Sequence, residues 1–174
     1  MPDFEHINYL RTGNKRQQLA YQTLTQHAVL EKLAAYQPIL TGTIPIDIDI
    51  PSSDLDIICY WTDKRDFMAQ VQNSFATETD FQVLETVING QETVVANFKL
   101  DDFEIEIFGQ NIPCKQQNAF RHLLVEHRIL AEKGEEFRQQ VIKLKLQGYK
   151  TEPAFALLLK LEGDPYLSLL NLSK

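Results

Sequence analysis

The sequence has only two cysteines, Cys59 and Cys114, in 174 residues. Two cysteines are too few for a disulfide framework, and they do not form the Cys-x-x-Cys pair that is typical of zinc sites. Cys59 lies in an apolar, strand-like segment, where a buried free thiol is the usual state. We therefore expect a reducing, cytoplasmic location.

The sequence also lacks long hydrophobic runs. No apolar segment approaches the roughly 20 residues that a membrane-spanning helix needs. The first residues, MPDFEHINYL, have no basic region followed by an apolar stretch, so neither a secretory signal nor a membrane association is expected. The apolar fraction of 44% is sufficient for a buried core, and the length corresponds to about one domain.

Positive charge is scarce: the sequence has 17 Lys and Arg residues but 24 Asp and Glu residues, which gives a net charge of −7. This balance argues against an extended nucleic-acid-binding surface. The charges are also divided: residues 44–110 contain 14 acidic and 3 basic residues, whereas residues 111–150 contain 4 acidic and 8 basic residues. The division suits a site that holds cations on one wall and phosphates on the other, although chance clustering on solvated faces would give the same counts.

Hydrophobic periodicity and turn residues predict an α+β domain with a mixed β-sheet. Asn89-Gly90 is a strong hairpin signal between two β-rich segments. Residues 44–53 contain two prolines and are expected to be extended or looped. The predicted helices cover residues 15–36, 63–76, 115–132, 135–147, 153–161 and 165–172. The predicted strands cover residues 39–41, 54–61, 81–88, 92–99 and 103–108. We expect a single domain over 1–174, with a core of about 15–150 and a helical tail of about 151–174.

Two aspartates carry the chemistry that the pattern predicts. In a strand, residues two apart point to the same face, so Asp54 and Asp56 project together while Leu55 and Ile57 face a core. Paired carboxylates on a rigid strand repel each other unless a cation lies between them, and hard oxygen ligands suit Mg²⁺ or Mn²⁺. Alone, the pair would equally fit the solvent-facing side of a half-exposed strand.

A third carboxylate is expected from the segment FEIEIF, residues 103–108. Glu104 and Glu106 share one face of this strand, and either one would complete a metal-binding set if the strand lies beside residues 54–61. Glu106 is preferred because it lies nearer the end of the strand. The same alternation is also typical of an edge strand protected by charge.

Gly42-Thr43 precedes these aspartates by ten residues. A glycine followed by a small hydroxyl residue lets backbone N–H groups approach a phosphate without a side chain between them. The Gly-Thr turn, the spacer and the sequence Asp54-Leu55-Asp56-Ile57 together resemble the signature of the DNA-polymerase-beta-like nucleotidyltransferase superfamily. Within it, the chain is similar to the GrpB-like branch and to a related bacterial domain family without an assigned function. This similarity rests on the proline-bearing spacer ending at Ser53, on Phe120-Arg121 and on Leu144-Lys145.

The resemblance implies a metal-dependent transfer of a nucleoside monophosphate from a nucleoside triphosphate to an acceptor. It implies Asp54, Asp56 and Glu106 as catalytic residues, with Glu104 as an alternative metal ligand, and Mg²⁺ or Mn²⁺ as cofactor. The expected nucleotide-binding residues are Gly42, Thr43, Ser53 and Arg121. The acceptor is a small molecule, a protein side chain or an RNA end. The alternative is a non-catalytic nucleotide- or partner-binding module of the same fold, including a toxin–antitoxin component.

Other polar residues are expected to be structural. His127 lies on the apolar face of the helix from residue 115 and is interpreted as a core histidine. Arg121 is the residue of that helix best placed to meet a triphosphate, with an unpaired solvent charge as the alternative. His122 is expected to be exposed. The lysines at 143, 145 and 150 are expected to form a solvated basic face.

Overall fold

The computed structural model describes residues 2–172. Its helices are α1 (Lys15–Gln26), α2 (Val29–Lys32), α3 (Lys64–Phe75), α4 (Asn118–Lys133), α5 (Glu135–Leu146), α6 (Thr151–Leu159) and α7 (Pro165–Leu170). Its strands are β1 (Ile39–Thr41), β2 (Leu55–Tyr60), β3 (Thr79–Ile88), β4 (Gln91–Leu100) and β5 (Phe103–Gln110). Three short 3₁₀ turns cover Ile7–Thr12, Ala34–Tyr36 and Cys114–Gln116. Across residues 2–172, no helix has both the length and the apolar character needed to cross a bilayer.

The five strands form one sheet in the order β1-β2-β5-β4-β3. The central pair, β2 and β5, is parallel, and the other three pairs are antiparallel. This arrangement confirms the predicted α+β fold with a mixed sheet flanked by helices. It also places the acidic strand that follows the Gly-Thr turn directly beside the FEIEIF strand.

The β3–β4 hairpin follows from its turn residues. Asn89 and Gly90 both have positive φ values, 52° and 77°. A two-residue turn of this kind matches the twist of the flanking strands, which is why Asn-Gly favours it. The predicted hairpin is confirmed.

The predicted continuous helix over residues 15–36 is wrong, because α1 ends at Gln26. Ala28 adopts a left-handed conformation with φ of 50°, and the short helix α2 begins after it. Thr23 donates a hydrogen bond of 2.6 Å to the Asp101 carboxylate, and the His27 ring lies 3.2 Å from the same carboxylate. The end of α1 is thus tied to the turn between β4 and β5. A left-handed residue next to this contact breaks the helix, although its apolar spacing would permit a longer one.

Each face of the sheet supports its own hydrophobic core. Ile57 and Ile105 pack with α1 and α3 on one face. Ile58, the neighbour of Ile57 in the strand, packs on the other face with Phe120 of α4 and Phe155 of α6. Since alternate residues of a strand point to opposite faces, Asp56 and Glu106 lie on the face covered by the C-terminal helices. The candidate site is on this face.

Candidate active site

A cavity of about 900 Å³ lies between the sheet and the C-terminal helices. One side is formed by the end of β1, the segment leading into β2, and β5. The opposite side is formed by α4, by the segment from Lys145 to Glu152, and by Tyr166 of α7. A cleft of this size and mixed lining is typical of small-molecule and cofactor sites.

Three carboxylates from neighbouring strands line this cavity. Asp56 of β2 and Glu106 of β5 are direct partners across the parallel pair. Asp54 precedes β2 and lies two residues before Asp56, so it projects to the same side. The structure therefore brings Asp54, Asp56 and Glu106 together.

The electrostatics of this group are unfavourable without a cation. Burial raises the pKa of Asp56 to about 8, and the negative charges of Asp54 and Glu106 add to the effect. Burial and Asp54 also raise the pKa of Glu106, while Lys150 opposes the shift. A divalent cation among these oxygens would favour their ionised forms and remove the repulsion.

The donor set fits a hard cation such as Mg²⁺ or Mn²⁺, because it consists of carboxylate oxygens on one wall of a cavity. Over residues 2–172, no three acidic, His or Cys side chains are arranged closely enough to enclose an ion by themselves. Mg²⁺ is usually bound through one or two carboxylates, with waters and substrate phosphates as its other ligands. The residues present match this open type of site.

Gly42 makes room for the Asp56 carboxylate. A Cβ atom at position 42 would lie 2.1 Å from Oδ2 of Asp56, and the backbone φ of Gly42 is 77°. Both facts require glycine here. Beside it, the Thr43 hydroxyl donates to the Ser53 hydroxyl at 3.1 Å, and Ser53 accepts a hydrogen bond from the Ile50 amide. The turn and the end of the spacer are thereby joined at the rim of the cavity.

Four long side chains hold the spacer between this turn and β2. One of them, Arg138 of α5, donates to the Asp47 carbonyl at 2.9 Å. Gln17 donates to the Ile44 carbonyl at 2.8 Å, and Arg16 donates to the Ser53 carbonyl at 2.9 Å. From the other side, Lys145 donates to the Ile48 carbonyl at 2.8 Å. The looped spacer is thus fixed by α1 and α5 through its backbone.

Two of the residues predicted from the sequence lie outside the cavity. Glu104 is exposed and faces Lys99 of β4, so of the two strand glutamates only Glu106 lines the cavity. Arg121 is also exposed and donates to the Asn118 side chain at 3.1 Å. Successive helical residues are about 100° apart, so Arg121 points away from the cavity whereas its neighbour His122 lines it.

The expectation that His122 is exposed is wrong, because only 7% of the residue is exposed. Its Nε2 donates to the Tyr166 carbonyl at 3.0 Å, and its Nδ1 lies 3.5 Å from a Glu152 oxygen. Both partners belong to the C-terminal helices, which cover this side of α4. His127, by contrast, packs its ring edge-on against Phe4, in agreement with a structural role.

The expectation that Lys145 is solvated is also wrong. It is buried and lines the cavity, whereas Lys143 is exposed and Lys150 is an exposed residue at the rim. Burial lowers the pKa of Lys145 to about 8, although Glu126 and the nearby aspartates favour its charged form. Lys145 therefore places a basic group against the acidic wall.

Glu126 of α4 is a cavity residue that the sequence interpretation missed. It is almost fully buried, and burial together with the charge of Glu152 raises its pKa to about 8. Ala119, His122 and Glu126 are spaced by three and four residues and share a helix face, but this spacing alone does not distinguish a cavity wall from a solvated face.

The family model described as "Domain of unknown function (DUF4269)" matches residues 22–172 of this chain. No curated protein is significantly similar to the chain in sequence.

Several solved structures have a similar fold. The Cid1 poly(U) polymerase with Mg 3'-dATP bound aligns with a TM-score of 0.55 at 11% identity, covering 76% of this chain and 41% of that one. The polymerase core of TRAMP, an RNA surveillance complex, aligns with a TM-score of 0.52 at 13% identity, covering 94% and 50%. The GLD-2/RNP-8 complex aligns with a TM-score of 0.51 at 14% identity, covering 83% and 56%. This chain thus spans about half the length of these neighbours, and it shares with them a nucleotidyltransferase-like fold.

Proposed function

The chain belongs to the DUF4269 family, and we propose that it is a metal-dependent nucleotidyltransferase. In this proposal an acceptor hydroxyl bonds to the α-phosphorus of a nucleoside triphosphate, so that the nucleoside monophosphate is transferred and pyrophosphate and the hydroxyl proton are released. The nucleotidyltransferase-like fold supports the reaction class, and one solved neighbour carries Mg²⁺ with a nucleotide analogue. The features that resemble the GrpB-like branch, which include Phe120-Arg121 and Leu144-Lys145, agree with the same reaction class.

One observation carries the proposal: Asp56 and Glu106 are direct partners on two parallel strands, and Asp54 lies two residues before Asp56. All three line a cavity whose rim carries Gly42 and Thr43. Solvent-facing carboxylates would not require a glycine packed against one of them. The contact between Gly42 and Asp56 therefore favours a constructed site over a charged strand face.

Each group of cavity residues has its own proposed role. Asp54, Asp56 and Glu106 hold the metal, and Gly42, Thr43 and Ser53 receive the phosphates. A bound Mg²⁺ or Mn²⁺ supplies charge neutralisation at the phosphoryl oxygens and lowers the pKa of the attacking hydroxyl. Lys150, at the rim beside Glu106, adds a positive charge for the triphosphate. Arg121 assists only if its side chain turns from Asn118 toward the cavity.

The cysteines and the net charge bear on the proposed location and on the proposed acceptor. Both cysteines are free and buried, which supports a reducing, cytoplasmic location. The net charge of −7 argues against a long nucleic acid as acceptor. A small molecule, a protein side chain or an RNA end is compatible with the cavity.

The test is transfer of label from each of the four α-labelled nucleoside triphosphates in the presence of Mg²⁺ or Mn²⁺. Asp54→Asn and Asp56→Asn should each lower turnover by at least about 100-fold, since a metal-held phosphoryl group gains several kcal/mol of charge stabilisation. Glu106→Gln should behave similarly. Asp102→Asn, at the exposed turn between β4 and β5, is the matched control and should retain turnover.

Thermal unfolding separates this proposal from the non-catalytic alternative. A binding module of the same fold, including a toxin–antitoxin component, would be stabilised by a triphosphate with Mg²⁺ but would form no product. Equal turnover by the wild type and both aspartate variants would refute the metal-binding role of Asp54 and Asp56.

A further inference from the structure

Glu126, on the α4 wall of the cavity, has no role in the proposed transfer. Only 4% of the residue is exposed, and its Oε1 atom has no hydrogen-bond partner among residues 2–172. Leaving a buried polar atom unpaired costs about 1–3 kcal/mol, and more for a charged group. Such an atom in the wall of a cavity indicates a ligand that donates a hydrogen bond to it.

The charges around Glu126 indicate what kind of donor fits. Glu152 lies on the same wall and is close enough to raise the pKa of Glu126. Lys145 opposes these charges, but its ammonium donates to the Ile48 carbonyl, and its charge also acts on Asp54 and Asp56. The other basic groups here are His122, whose Nδ1 lies 3.5 Å from Glu152, and Lys150 at the rim. Among residues 2–172, none of the three basic groups donates to the unpaired Oε1 of Glu126.

The position of Glu152 connects this wall to the carboxylates of the sheet. Glu152 and Glu126 line the same cavity as Asp54 and Asp56. A small ligand in the cavity can therefore meet the α4 wall and the metal-binding carboxylates together.

We propose that Glu126 and Glu152 form a subsite for a protonated amine carried by the acceptor. The amine donates to the unpaired oxygen of Glu126, while a hydroxyl of the same molecule faces Asp54 and Asp56. Charge-assisted hydrogen bonds of this type are about twice as strong as neutral ones. The identification of the ligand as the acceptor rests on the proposed function. An RNA end is disfavoured, because its phosphates would approach two carboxylates.

Binding of matched amine and alcohol pairs tests the subsite without catalysis. The pairs are ethanolamine with ethylene glycol and glucosamine with glucose, titrated by ligand-observed NMR without nucleotide or metal. We expect at least one amine to bind the wild type at least about tenfold more tightly than its alcohol partner. Glu126→Gln should abolish this preference. Glu132→Gln, which changes an exposed glutamate of the same helix, should preserve it.

Two outcomes overturn the subsite: equal affinity for both members of each pair, or a preference that Glu126→Gln leaves unchanged. Glu152→Gln is a second variant, at a position whose side chain is 21% exposed, and it should weaken the preference even if Glu126→Gln does not fold. Asp54→Asn should keep the amine preference. An amine preference in a protein that forms no transfer product would therefore refute the proposed function and leave the subsite intact.

Discussion

At the residue scale, Gly42 is the position with the sharpest steric requirement in the site. An alanine there would have a positive φ of 77° and a Cβ atom 2.1 Å from the Asp56 carboxylate. The backbone conformation alone costs about 1–2 kcal/mol, and the collision also displaces an oxygen of Asp56, which is a proposed metal ligand. We expect Gly42→Ala to lower transfer activity by at least about tenfold, since even small displacements of reacting groups are costly.

Gly90→Ala is the control for this prediction. Gly90 has the same φ of 77°, but a Cβ atom there would meet nothing within 4 Å. Gly90→Ala should lower the melting temperature by less than Gly42→Ala, because it adds no collision, and it should leave nucleotide transfer unchanged. If both variants lose activity equally, backbone strain rather than contact with Asp56 explains the loss.

At the element scale, the spacer between β1 and β2 depends on α1. Gln17 is buried in α1, donates to the Ile44 carbonyl, and accepts from the Asn14 amide in the capping box of the helix. Gln17→Ala leaves the Asn14 amide without its partner and removes the side-chain donor to the Ile44 carbonyl, which then keeps only the Asp47 amide. We expect a cost of about 1–3 kcal/mol. Denaturant unfolding should show this loss at an unchanged m value.

The neighbouring residue offers a matched control for the capping contact. Gln18 is exposed, and its side chain donates to the Gly13 carbonyl. Gln18→Ala should change the free energy of unfolding by no more than about 0.5 kcal/mol. A Gln17→Ala variant as stable as Gln18→Ala would contradict the role assigned to α1.

The elements that sequence reasoning predicted well are those set by local patterns. Period-two alternation gives the faces of Asp56 in β2 and Glu106 in β5, and Asn89-Gly90 gives the hairpin turn. These features depend on residues a few positions apart. The pairing of β2 with β5 could not be predicted from local patterns, because the neighbours of a strand are fixed by the whole sheet.

His122, Glu126 and Lys145, which sequence reasoning misjudged or missed, depend on long-range contacts. His122 and Glu126 are buried because α6 and α7 pack against α4, and no pattern within α4 specifies that cover. Lys145 can be buried because its ammonium donates a hydrogen bond to the Ile48 carbonyl of the spacer. Polar residues in a helix are normally solvated, so their burial can be recognised only once the packing partner is known.

At the scale of the whole molecule, the C-terminal helices complete both the second core and the cavity. Phe155 of α6 is fully buried in the core on the face of the sheet that carries the cavity, and it packs edge-on against Phe137 of α5 at 5.6 Å. Tyr166 and Glu152, from the same helices, line the cavity. The tail of about 151–174 is therefore expected to belong to the same cooperative unit as residues 15–150.

Phe155→Ala tests whether the tail unfolds together with residues 15–150. The substitution removes a buried ring and leaves a cavity, which costs about 3–5 kcal/mol, a large part of the 5–15 kcal/mol that stabilises a typical domain. Leu157→Ala, in the same helix at a residue that is 52% exposed, should cost far less. In a single cooperative unit, the loss at Phe155 lowers the midpoint of one transition seen equally by far-UV circular dichroism and by Trp61 fluorescence, since Trp61 lies in the other core. A separate early transition that leaves the Trp61 signal unchanged would show instead that the tail unfolds independently of the sheet.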